Sequence, residues 1–176
     1  MLNILRRTIA IAIMILIAYF LQNGLFPSVF YFQSIPNILL MLTVIHGFLR
    51  GSLTGVLTGL VCGFLCDMHS GTLIGYYTFF YIYAGWFGGL FQRFFYQDEL
   101  VLPGVLTGVC DFLYGCYMFV FECVLHNNTN FKPYLMQIIL PEMIYTIIVT
   151  ILFFRIILFV HDKLDDAEKR SARKFV

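Results

Sequence analysis

Gly51, Gly55, Gly59 and Gly63 recur every fourth residue and run directly into Asp67. That spacing keeps them on one face of a helix. Small residues so placed let two helix backbones approach closely, the mode of association open to helices that gain nothing by hiding from water. The chain is 60% hydrophobic and only 12% charged, with a mean hydropathy of +0.85. A soluble domain of this length does not have that balance, so the ridge belongs to a membrane helix. It ends in a carboxylate near a membrane surface, which is expected to face protein rather than lipid. It also marks the helix around which the others are expected to pack.

Backbone polar groups in lipid must be satisfied within the spanning segment, so spans are helices or closed barrels. The apolar runs are continuous rather than alternating, which selects helices. A span needs about 20 residues. Six follow: about Thr8 to Phe26, Pro36 to Phe48, Ser52 to Cys66, Thr72 to Phe94, Leu100 to Leu125 and Met136 to Val160. The second and third are short, and one bent span or a re-entrant pair is the rival reading there.

Charge supports six. Arg6 and Arg7 precede the first span, Arg50 lies between the second and third, and Arg93 between the fourth and fifth. Arg155, Lys163, Lys169, Arg170, Arg173 and Lys174 lie near or beyond the end of the sixth, and only Lys132 falls on the other side. The positive-inside rule then places both termini in the cytoplasm. Merging the second and third spans would make the number odd and spoil this distribution. The expected fold is one all-α membrane domain over residues 1–176, six helices in one bundle, with a short cytoplasmic tail over 161–176.

The two N-terminal arginines and the apolar run after them resemble a signal peptide, but the run exceeds a usual signal core and no clean small-x-small site follows. It reads as an uncleaved first helix. The tail mixes four acids with five bases and is expected to extend the sixth helix or fray. The five cysteines form no CxxC pair and sit in or near spans, as small buried thiols do. No metal site is expected. Asn127, Asn128 and Thr129 form a glycosylation tripeptide of a kind frequent by chance. No HExxH, GxSxG or P-loop is present, and no catalytic residue or cofactor is assigned. The net charge of +1 leaves no nucleic-acid footprint.

The fifth span carries a second pattern: Gly104, Gly108, Asp111, Gly115 and Glu122 share one helical face. Asp111 lies 11 residues beyond Leu100, roughly 16 Å into a core of about 30 Å. An acid at that depth costs ~2.5–3.5 kcal/mol on insertion scales, so it should face protein and find a partner or carry a proton. It is an ion relay or ligand contact, or a hydrogen-bonded pin between helices. The pin is favoured, because no basic residue lies near the midplane to match it. Glu122 and Glu142 fall toward the outer side. Glu142 follows Pro141, where a helix can start or kink, and a glutamate in a first turn complements the helix dipole. Partner binding is the other reading. His46 and Arg50 are expected to snorkel or meet headgroups at the inner end of the second span. Tyr76, Tyr77, Tyr81 and Tyr83 crowd the fourth span, as interface aromatics or a stacking cage.

The order of motifs goes further. Ile35-Pro36-Asn37-Ile38-Leu39-Leu40 opens the second span; Gly55, Gly59, Gly63-Phe64 and Asp67 follow, then Ser70-Gly71 and Gly75. This order resembles the rod shape-determining MreD family of bacteria. In that family a Pro-Asn or Pro-Asp pair starts a helix, a glycine-rich helix ending in aspartate follows, and then a Ser-Gly turn and another glycine. The motifs cover about Pro36 to Gly75, and the architecture nearly the whole chain.

The resemblance implies a non-enzymatic subunit of the elongation machinery in the bacterial cytoplasmic membrane. Its implied partners are a bitopic MreC-like protein, MreB filaments, and RodA with its transpeptidase. Pro36, Asn37, Gly55, Gly59, Gly63, Asp67, Gly71 and Gly75 match the family pattern, and with Gly51 they are the expected packing or partner-binding residues. The alternative is a substrate-binding component of an energy-coupling-factor uptake transporter for a vitamin or metal, also a small six-helix protein. Such components tend to carry a small-xxx-small stripe on the first helix for docking. Here the first span offers only Ala10, Ala12 and Ala18, and the ridge lies on the third. A carrier built around Asp111 would be expected to show internal repeats or broken helices, and no repeat stands out. The ridge is expected to hold the third helix in the bundle or against a partner. Asp67 is expected to accept hydrogen bonds from the Ser70-Gly71 turn or from a partner.

Overall fold

A computed structural model describes the backbone of residues 2–26, 35–71, 74–94, 101–126 and 131–173, with side chains over 6–24, 26, 35–71, 74–93, 101–121 and 131–163. Among them there is no strand. Helix α1 is Leu2–Phe20 and continues through a π-helical turn, Leu21–Leu25. Then come α2 (Ile38–Arg50), α3 (Ser52–Ser70), α4 (Tyr76–Leu90, closing in the 3-10 turn Phe91–Phe94) and α5 (Val101–His126). The last helix opens as Phe131–Tyr134, widens into the π-helical turn Leu135–Ile139 and continues as α6, Leu140–Arg173.

Among the described residues, four segments are long and apolar enough to cross a membrane: Arg6–Gly24, Ser52–Ser70, Val101–Phe121 and Phe131–Lys163. The two short helices are α2 and α4, with 13 and 15 residues. At 1.5 Å per residue these reach only ~20 and ~23 Å. The third span therefore runs longer than its sequence suggested, because Asp67, Met68, His69 and Ser70 remain helical. The fourth is shorter, because Gly71 and Gly75 adopt left-handed backbone (φ +63° and +99°) and break the chain between α3 and α4.

The centre of the bundle is α2. Every residue from Ile38 to Phe48 is buried, and α2 touches all five other helices. Its burial on every side, not its apolar composition, shows that protein rather than lipid encloses it. This corrects the expectation that the glycine-ridge helix is the hub. The ridge helix α3 keeps Leu53, Leu57, Leu60, Phe64 and Met68 exposed along its other side, as a lipid-facing helix does. The order of contacts alternates direction: α3 runs antiparallel to α4, and α5 antiparallel to α6, while α2 and α4 run side by side in the same sense. The segment beyond His161 is a continuation of α6 to Arg173.

Candidate functional site

Because α2 begins inside protein, its first backbone N–H groups need partners that water would otherwise supply. Each is met. Asn37 N–H donates to Thr146 Oγ1 of α6 at 3.1 Å, and Ile38 N–H to the Pro36 carbonyl at 3.1 Å. Leu39 N–H donates to Gln22 Oε1 from the end of α1 at 2.9 Å, and Leu40 N–H to Asn37 Oδ1 at 3.2 Å. The same Asn37 oxygen accepts the Tyr81 hydroxyl of α4 at 2.8 Å. An asparagine at an N-cap is locally ordinary. Here it also ties α2 to α4 and α6.

The glycines form a second junction. A Cβ on Gly55 would collide with the Gly85 carbonyl and stand 2.8 Å from Gly47 Cα. One on Gly85 would collide with the Gly55 carbonyl, one on Gly59 with the Tyr81 carbonyl, and one on Gly63 with Thr78 Cα. Gly88 and Gly89 press in the same way on Val44 and on Ser52. So α2, α3 and α4 meet backbone to backbone, and the ridge is consumed within the bundle. Gly51 sits at the edge of this contact, where a Cβ on Gly89 would stand 2.7 Å from its carbonyl carbon. It has φ +94° and joins α2 to α3, its N–H donating to the Gly47 carbonyl at 2.7 Å.

Asp67 caps α4. Its carboxylate accepts from the N–H groups of Gly75 (2.9 Å), Tyr77 (2.8 Å) and Thr78 (3.2 Å), and from the Thr78 hydroxyl. Gly75 is the N-cap residue and has no side chain to do this, so an acid from the last turn of α3 supplies the acceptor. The positive end of α4 favours it further. This corrects the expected bond to the Ser70-Gly71 turn: Ser70 donates to the Asp67 backbone carbonyl, not to its carboxylate. Gly71 and Gly75 have open space where a Cβ would stand. They are turn residues, not packing residues.

A family model for the rod shape-determining protein MreD matches residues 3–163. The chain belongs to the MreD family. No curated protein and no solved structure matches it.

The MreD-pattern residues thus divide by place. Pro36 and Asn37 open the central helix, Gly55, Gly59 and Gly63 bring α3 onto α4, and Asp67, Gly71 and Gly75 shape the α3–α4 turn. The sequence reading missed their counterparts: Gly47, Gly85, Gly88 and Gly89. The four-residue spacing of Gly85 and Gly89 was the available signal. Tyr81, one of the four tyrosines crowding the fourth span, is fully buried.

The remaining polar residues lie elsewhere. Gly104, Gly108 and Gly115 of α5 face Ile151, Ile147 and Ile139 of the last helix. Asp111 sits on that face, 2% exposed, and neither carboxylate oxygen has a hydrogen-bond partner. The side chain of Glu122 lies outside the described residues. Glu142 lies in the first turn of α6, directly after Pro141 as expected, with the helical path continuing upstream through the π-helical turn to Phe131. The π-helical turn accommodates Pro141, whose missing N–H and bulky ring disturb a regular helix one turn back.

His46 does not snorkel. It is fully buried, its Nδ1 bonded to the Leu42 carbonyl at 2.8 Å. Its ring stands 5.0 Å edge-on from that of His161, whose Nδ1 accepts from Arg50 Nε at 3.2 Å. Tyr76 stacks on Tyr117 at 4.9 Å and meets Phe121 at 4.3 Å. The Tyr117 hydroxyl donates to the Tyr76 carbonyl at 3.2 Å. These aromatics fill one another's faces and join α4 to α5. Among the described residues no group of three or more His, Cys, Asp or Glu side chains could hold a metal ion.

Proposed function

We propose that this MreD-family chain is a non-enzymatic scaffold of the bacterial cell-elongation complex, spanning the cytoplasmic membrane six times with both termini inside. Its partners in this reading are an MreC-like bitopic protein, MreB filaments, and RodA with its transpeptidase. It maintains rod shape by holding these components together. The family match along residues 3–163 carries the reading. The internal use of the ridge refines it. Gly55, Gly59 and Gly63 back onto α4, so a partner helix docks on an outward face and not on the glycines. The basic residues support the orientation. Arg50 and His161 share one end of the bundle, opposite the Asp67 turn, and basic residues concentrate at that end.

The test is mild-detergent affinity purification of the tagged chain from its native bacterium, with co-purifying proteins identified by mass. An MreC-like protein together with wall-synthesis enzymes is the expected result. A transporter coupling subunit with ATPases, and no wall enzymes, would overturn it.

A further inference from the structure

We infer that Asp111, which is buried, and Glu142, half-buried on the facing helix, form an acid pair that binds a proton between α5 and α6. Geometry brings them together. On the facing helices Gly104 meets Ile151 and Ile147, Gly108 meets Ile147 and Met143, and Gly115 meets Ile139. Antiparallel register then sets Asp111 opposite the stretch that contains Glu142 and Thr146. Glu142 is the acid that faces Asp111 across this register.

Both Asp111 oxygens are buried and unpartnered. Thr146 is near, but its hydroxyl donates to the Glu142 carbonyl at 2.9 Å and accepts the Asn37 N–H. Among the described residues, the other titratable groups beside the pair are Cys110 and Tyr114 of α5 and Tyr77 of α4. No cation is among them. Two ionised carboxylates would repel in this interior with nothing to offset them. One proton resolves this, making one carboxyl the donor and its neighbour the acceptor. A metal ion fits less well, since hard cations need six or more oxygen ligands, or near-ideal octahedral ones. The proton comes from water, and no other reactant is involved. The site does not depend on which partners the chain takes.

The test is infrared spectroscopy of the full chain in lipid nanodiscs at neutral pH. The expected result is the carbonyl stretch of a neutral carboxylic acid, lost in the double variant Asp111→Asn, Glu142→Gln. The amides keep the shape of the neutral acids, so the variant is expected to fold. Absence of the band from the unmodified chain overturns the proposal without any variant, as does its survival in the double variant. Exchanging choline for sodium should leave the band in place. Its loss on adding sodium would make the occupant a metal ion and overturn the proton.

Discussion

The Tyr81 hydroxyl donates to Asn37 Oδ1 at 2.8 Å inside the bundle, across 44 residues of sequence. The same oxygen caps α2 through Leu40 N–H. A local capping choice and a long-range helix contact thus share one atom.

Removing the phenol should weaken this junction modestly. Tyr81→Phe keeps the ring and leaves Asn37 capping α2, so the loss is about 1 kcal/mol for the bond to Asn37, with a weaker share from the Cys66 thiol that donates to the same hydroxyl at 3.7 Å. Asn37→Leu should cost more, because Leu40 N–H is then buried without an acceptor. Thermal unfolding in detergent, followed by size-exclusion of the surviving monodisperse protein, ranks the two. A Tyr81→Phe loss as large as that of Asn37→Leu would contradict the shared-atom account.

The glycine seam predicts a sharp contrast between glycines. Gly55→Ala places a methyl group against the Gly85 carbonyl, and overpacking against backbone costs ~1–3 kcal/mol or more. Gly71→Ala meets open space and suffers only the left-handed backbone (φ +63°), about 1–2 kcal/mol. Gly59→Leu should separate α3 from α4, and with it lose assembly and rod shape. The same unfolding assay, with cell shape as the readout for Gly59→Leu, checks the order. Normal rods from a well-expressed Gly59→Leu chain would show that the seam is dispensable.

Asp67→Ala should unravel the start of α4 while leaving its far end intact. Three N–H groups and one hydroxyl lose their acceptor, and hydrogen bonds to a charged group are worth ~1.5–3 kcal/mol each. Hydrogen exchange at the amides of Tyr77 and Thr78 should accelerate, while that near Gly88 and Gly89 should not. Uniform acceleration along α4 would mean that Asp67 supports the whole fold and is not a cap.

His46→Leu should be tolerated. The imidazole is fully buried, and its Nε2 has no hydrogen-bond partner. An apolar residue of similar size removes that unsatisfied group, which alone costs ~1–3 kcal/mol when buried. Unfolding at or above the wild-type temperature is the expected outcome. A collapse in stability would show that the ring contact with His161 holds α2 to α6.

The sequence alone determined the solvent of this protein and its class. Continuous apolar runs with short polar breaks leave only helices in a membrane, and the ridge at Gly55, Gly59 and Gly63 with Asp67 after it was legible because one helix displays its own periodicity. The Pro36-to-Gly75 order was legible for the same reason: its members are close in the chain. What the tertiary structure decided lies between helices. Nothing near α2 in sequence marks it as the enclosed hub, since lipid and protein interior favour the same apolar residues. Nothing near Asp67 shows that it serves Gly75, Tyr77 and Thr78 beyond the turn. The partners of Asn37, Tyr81 and Thr146, and the facing of Asp111 by Glu142, arise from helices 30 or more residues apart. Their meeting depends on which faces turn inward, a choice made by the packing of all six helices together.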